Sequence, residues 1–153
     1  MPAAASNHHC SVVAVEGHGV LIEGSSGSGK TSLALGLVDT ARARGIEAAL
    51  VCDDQALLAR LDGRLVASAP PAIAGMAELR GYGITRVTHR PCCTVAVVGR
   101  IGADRRLARM ADAERTELMG VDLPLVRLPR RHEQQAIRII LAWLAEHRAA
   151  AEP

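Results

Sequence analysis

Phenylalanine is absent from this 153-residue chain, tryptophan and tyrosine occur once each (Trp143 and Tyr82), and Lys30 is the only lysine. A chain so poor in aromatics has little with which to stack bases, and a formal net charge of +2 gives no strong field for nucleic acid or an anionic membrane. The four cysteines, Cys10, Cys52, Cys92 and Cys93, show no C-x-x-C spacing, and an adjacent pair is poor zinc geometry. They read as reduced, packed thiols of a cytosolic protein. No apolar run reaches the roughly 20 residues that span a bilayer. The N-terminal MPAAASNHHC lacks the charged-then-apolar pattern of a signal peptide. Together these absences predict a soluble, cytoplasmic protein without nucleic-acid or membrane partners.

What is present suits one domain. Hydrophobic residues make up 49% of the chain, enough for a continuous core, and Val, Leu, Ile and Ala must fill it, as in a sheet covered by helices. The expected domain is 1–153, with 1–10 as a flexible polar arm. Apolar and β-branched runs predict strands at 11–15, 19–23, 48–52, 94–98 and 125–128. Segments 57–61 and 64–67 flank Asp62-Gly63, a hairpin signal. Leu33, Ala34, Leu37, Val38 and Ala41 fall at helical spacing over 30–44, with Gly45 as the stop. Residues 72–80 read as a short helix or turn, 99–120 as a mobile, arginine-rich loop plus a short helix, and 133–148 as an amphipathic helix carrying Ile137, Ile140, Leu141 and Leu144. The class is α/β with a mixed sheet and flanking helices.

The chemistry concentrates in Gly24-Ser25-Ser26-Gly27-Ser28-Gly29-Lys30-Thr31, a full match to G-x-x-x-x-G-K-[ST] between a predicted strand and a predicted helix. Its glycines let backbone N–H groups turn toward phosphates, and the helix N-terminus adds a favourable dipole. Lys30 is then placed for the β- and γ-oxygens, and the Thr31 hydroxyl for Mg²⁺. This spacing points to ATP or GTP with Mg²⁺. Asp53-Asp54 closes the next strand, where one carboxylate can serve the metal and the other proton transfer.

These features are followed by Ala77-Glu78-Leu79-Arg80-Gly81-Tyr82-Gly83-Ile84, by R-M-A-D-A-E-R-T-E-L at 109–118 and by V-D-L-P-L-V-R-L-P at 121–129. In this order they resemble the catalytic domain of the HPr kinase/phosphorylase family, in the short form of alphaproteobacterial type. The resemblance implies an ATP- and Mg²⁺-dependent protein-serine kinase whose substrate is an HPr-like phosphocarrier of the phosphotransferase system, assembled as a homo-oligomer, a hexamer in the family. It implies that residues 24–31 bind ATP, that Thr31 and Glu78 ligate Mg²⁺, and that Lys30 also acts on the transferred phosphoryl. Asp54 would accept the serine proton, with Asp53 supporting it or the metal and with His9, fifteen residues before Gly24, orienting the carboxylate. Arg109 would stabilise charge on the γ-phosphoryl. His18 for His9, and Arg100, Arg105 or Arg106 for Arg109, are the alternatives. The family's Gly-Arg-Asn element is missing from the stretch after Pro129, Arg130 to Gln135, which implies kinase activity above phosphorylase activity. A P-loop kinase of a small metabolite and a nucleotide-binding regulator without catalysis are the competing readings.

Overall fold

In the computed structural model, which describes residues 4–102 and 108–151, the chain opens with strands β1 (Ser6–His8), β2 (Ser11–Val15) and β3 (His18–Glu23), followed by helix α1 (Lys30–Ala43). Next come β4 (Ala48–Cys52), β5 (Ala56–Leu61), β6 (Arg64–Ser68), a 3₁₀ turn at Pro71–Ile73, β7 (Met76–Leu79) and β8 (Gly83–Arg86). The chain closes with β9 (Cys92–Ile101), β10 (Glu114–Leu118), β11 (Val121–Leu128) and helix α2 (Glu133–Ala151).

One mixed sheet runs β1-β5-β6-β9-β3-β2-β4, and β7 and β8 form a separate hairpin. Strand β9 carries two neighbours along one edge. Its first residues pair antiparallel with β6, from Ser68↔Cys92 to Val66↔Thr94, and its last pair parallel with β11, from Leu125↔Val98 to Leu128↔Ile101. Because β2 is antiparallel to both β3 and β4, the C-terminal ends of β3 and β4 and the start of β2 lie at one end of the sheet. That topology brings residues 24–31, the Asp53-Asp54 pair and Ser11 together.

The two faces of the sheet fill separate halves of the core. One half packs Val13, Val20, Ile22 and Val97 against Leu33, Leu37 and Ala41 of α1 and Ile137, Ile140 and Leu144 of α2. The other packs Val12, Leu21, Val51 and Val98 against Leu58, Leu65 and Leu123, where the sheet curls over itself. The stripe of α1 expected from sequence is the stripe that is buried. The stripe of α2 is likewise buried beside α1 and β11 rather than left on the surface. Fully buried Leu37 anchors α1, and cutting it to Ala would cost about 2–5 kcal/mol. Gly45, at φ 75, ends α1: its N–H bonds Arg42 O and the Ile46 N–H bonds Ala41 O, which satisfies carbonyls the helix leaves open.

Three segments differ from expectation. Within 1–10, Ser6–His8 is a strand paired with β5. Within 72–80 the expected turn is present, a 3₁₀ turn at Pro71–Ile73, but Met76–Leu79 beyond it is strand β7. The charged 99–120 stretch holds no helix among its described residues; it contains the end of β9 and β10, which hairpins with β11. Arg115–Asp122 and Arg127–Glu114 ion pairs link β10 to β11, so charge there lines a paired strand and not a loop. Among the described residues no helix is long and apolar enough to cross a membrane.

Candidate active site

Strand β3 ends at Glu23, and the chain then wraps through Gly24–Gly29 into the first turn of α1. Gly27 and Gly29 adopt φ 78 and 98, left-handed values that a side chain would oppose. Gly29 stands at the N-cap, so no side chain bonds the first free N–H groups of α1, and no acidic residue sits in its first turn. Those donors and the helix dipole favour an anion. Lys30, 5% exposed, curls its Nζ back to Gly24 O and Ser25 O, both at 3.1 Å. The Ser28 hydroxyl is buried without a hydrogen-bond partner, and a Cβ on Gly24 would stand 2.6 Å from it and 3.1 Å from Ile101 Cβ, so a side chain there would have to push that hydroxyl aside.

Beside this loop Asp53, 8% exposed, accepts three hydrogen bonds. Thr31 Oγ1 donates to Oδ1 at 2.7 Å, Ser11 Oγ donates to Oδ1 at 3.1 Å, and the Glu78 N–H donates to Oδ2 at 3.3 Å. Strands β2, β4 and β7 and helix α1 therefore converge on one carboxylate. Asp54 follows with φ 65, an uncommon left-handed backbone for a non-glycine residue, and its Oδ1 meets His9 Nε2 at 3.1 Å.

An open cleft of about 680 Å³ runs from Ser26, Gly27, Lys30 and Thr31 past Asp53, Asp54 and Glu78. It continues along α1 to Asp39, Arg80 and Glu133. The structure thus brings His9, the 24–31 loop, Asp53, Asp54 and Glu78 to one end of the sheet. Arg109 is exposed and does not line the cleft. Of its alternatives, Arg100 bonds Glu23 and Thr116, while Arg105 and Arg106 lie outside the described residues. His18, the alternative to His9, starts β3 at the opposite end of the sheet, opposite Val15. Burial pushes the Cys10 and Cys93 thiols up to about 12 and raises the Cys52 thiol as well.

The family profile described as HPr serine kinase C-terminal domain matches residues 2–91, a span that contains His9, the phosphate-type loop, both aspartates and Glu78. The chain belongs to that family. Curated HPr kinase/phosphorylases agree with this membership. That of Chlorobium chlorochromatii is 33% identical over 80% of this chain and 39% of its own length. That of Chlorobaculum tepidum is 34% identical over 95% of this chain and 46% of its own length. The chain thus spans less than half of these relatives. The solved Hpr(Ser) kinase/phosphatase from Coxiella burnetii superposes with a TM-score of 0.77 at 22% identity, covering 95% of this chain and 99% of that one, and so shares the fold.

Two residues of the site carry almost no sequence signal. Ser11 joins the two aspartates, and its one sequence signal is a hydroxyl at the head of an otherwise apolar strand. Glu133 lines the cleft and accepts from Ser32 Oγ at 3.0 Å across 101 residues of sequence, a contact no local pattern announces.

Proposed function

We propose that this chain is a Mg²⁺- and ATP-dependent protein-serine kinase acting on an HPr-like phosphocarrier. The observation that carries the reading is the aspartate pair beside the glycine loop: Asp53 tied to Thr31, and Asp54 turned toward His9 at the rim of the same cleft. The 24–31 loop and Lys30 hold the β- and γ-phosphates of ATP. Thr31 and Glu78, with Asp53 behind Thr31, are hard oxygen donors suited to Mg²⁺. When bound, Mg²⁺ supplies positive charge against the phosphate oxygens.

In the reaction the acceptor serine oxygen forms a bond to the γ-phosphorus while the bond from that phosphorus to the bridging β,γ oxygen breaks, and ADP leaves. The serine proton passes to the Asp54 carboxylate, which His9 orients. Arg109 is exposed outside the cleft and reaches the charge on the transferred group only by moving into it. Little covalent help is needed, since placement and positive charge carry most of phosphoryl transfer.

The reverse, phosphate-dependent activity is weak in this reading. The stretch after Pro129, Arg130 to Gln135, lacks the Gly-Arg-Asn element of the family, and that departure is what supports kinase activity above phosphorylase activity. Family membership supports the substrate class and the homo-oligomeric assembly. The test is transfer of labelled γ-phosphate from ATP to HPr, with HPr lacking its acceptor serine as control. Label on the native acceptor alone is expected. ATP turnover on a small hydroxyl compound without label on HPr would replace this reading with a metabolite kinase.

A further inference from the structure

Ser11 heads β2, a strand buried along all five of its residues, and is itself 0% exposed. A hydroxyl buried without partners is costly, and this one both donates and accepts. It donates to Asp53 Oδ1 at 3.1 Å and accepts the backbone N–H of Asp54 at 3.1 Å. One atom therefore holds the side chain of the first aspartate and the main chain of the second.

Asp54 needs such a hold. Its φ of 65 lies in a region that non-glycine residues seldom occupy and keep only where their surroundings fix them. The neighbouring backbone is tightened too, by the Gln55 N–H donating to Asp53 O at 2.7 Å. The β2–β4 pairing shifts register between Val12 and Val13, one step from Ser11, an irregularity of the kind that re-aims residues at a strand end.

We infer that Ser11 is a positioning residue, whose hydroxyl locks Asp53 and Asp54 into one unit so that Asp53 faces Thr31 while Asp54 faces His9. The kinetic consequence rests on the proposed kinase function; the backbone consequence rests on the geometry alone. Asp54 is presented by its backbone, so losing the Ser11 bond loosens its carboxylate, while Asp53 keeps its bonds from Thr31 Oγ1 and the Glu78 N–H and the loop that holds ATP is disturbed less.

The test compares the full chain with Ser11→Ala and Ser11→Thr in two readouts. The first is amide hydrogen exchange at Asp54 by NMR. Exchange is expected to quicken about tenfold or more in Ser11→Ala and to stay near wild type in Ser11→Thr, which keeps a hydroxyl. The second is steady-state transfer to HPr. There kcat is expected to fall roughly 10- to 100-fold in Ser11→Ala, with KM for ATP within about twofold, and Ser11→Thr is expected to recover most of the loss. If Ser11→Ala does not fold, Ser11→Cys, close in size and a poor donor, takes its place. Unchanged Asp54 exchange in the hydroxyl-free variant, or equal impairment of Ser11→Thr in both readouts, overturns the inference and leaves Ser11 a packing residue. A wild-type chain that transfers nothing to HPr would sink the kinase reading, while the exchange comparison would still decide the role of Ser11.

Discussion

His9 Nε2 and Asp54 Oδ1 stand 3.1 Å apart, the histidine reaching from the turn between β1 and β2 to an aspartate just past the end of β4. Both side chains are about half exposed, so the pair adds little to stability, under about 1 kcal/mol by the usual worth of surface pairs. The use proposed for it is orientation of the Asp54 carboxylate. His9→Ala should leave the melting temperature and ATP binding nearly unchanged while lowering kcat for HPr phosphorylation roughly 10- to 100-fold. A wild-type kcat in that variant would remove His9 from the mechanism.

Lys30 carries the only ammonium in the phosphate loop, where it sits buried against two carbonyls. Lys30→Met keeps the length of the side chain and deletes the charge. Transfer should fall by about 10²–10³, the usual cost of removing one preorganised positive donor from a transition state, while the chain stays folded by circular dichroism. A loss of less than threefold would place the charge that matters elsewhere.

How much of this was legible depended on how local each signal is. The glycine loop, α1 and the strands before and after them could be read because all their cues lie within some thirty residues. The Asp62-Gly63 hairpin, with φ 51 and 75, was announced by its residue types. The same mirror-type turn at Met119-Gly120, with φ 50 and 77, was not, because Met carries no turn preference, and so β10 passed for loop. Strand β10 also reads Glu-Arg-Thr-Glu-Leu with no buried residue, leaving no apolar alternation to find. The aspartate pair was visible, but the Ser11 bonds that join it exist only once β2 lies beside β4.

Gly19 shows where backbone contact forbids a side chain. A Cβ there would lie 2.6 Å from Thr94 O and 2.7 Å from Cys93 Sγ, with β3 and β9 paired in parallel at that point. Gly19→Ala should destabilise by about 1–3 kcal/mol. A drop in Tm of roughly 3–10 °C is expected by calorimetry. Gly36→Ala should be much milder, since its nearest clash is the mobile carboxylate of Glu133 and helical Ala recovers part of the cost. Equal losses in the two variants would contradict this distinction.

The buried thiols predict an alkaline limit. Burial raises Cys10 and Cys93 to about 12, and Cys52 further, so the folded state keeps protons that the unfolded chain releases above roughly pH 8.5. Stability should therefore be unaffected by these groups below about pH 8 and fall as pH rises beyond it, with a slope approaching about 1.4 kcal/mol per pH unit for each thiol. Urea midpoints between pH 7 and 10.5 read this directly, and Cys52→Ala should flatten the slope. Midpoints that stay level to pH 10.5 would show that these thiols are not held protonated by the fold.

The central claim is that Asp54 takes the proton of a protein serine while the glycine loop holds ATP. The measurement that bears on it most directly is labelled phosphate transfer from Mg-ATP to HPr by the wild-type chain and by Asp54→Asn, with ATP affinity measured on both. Acid-stable phosphoserine on HPr is expected with the wild type, almost none with Asp54→Asn, and equal ATP binding by the two. Comparable transfer by the variant, or ATP bound tightly by a wild type that never labels HPr, would contradict it.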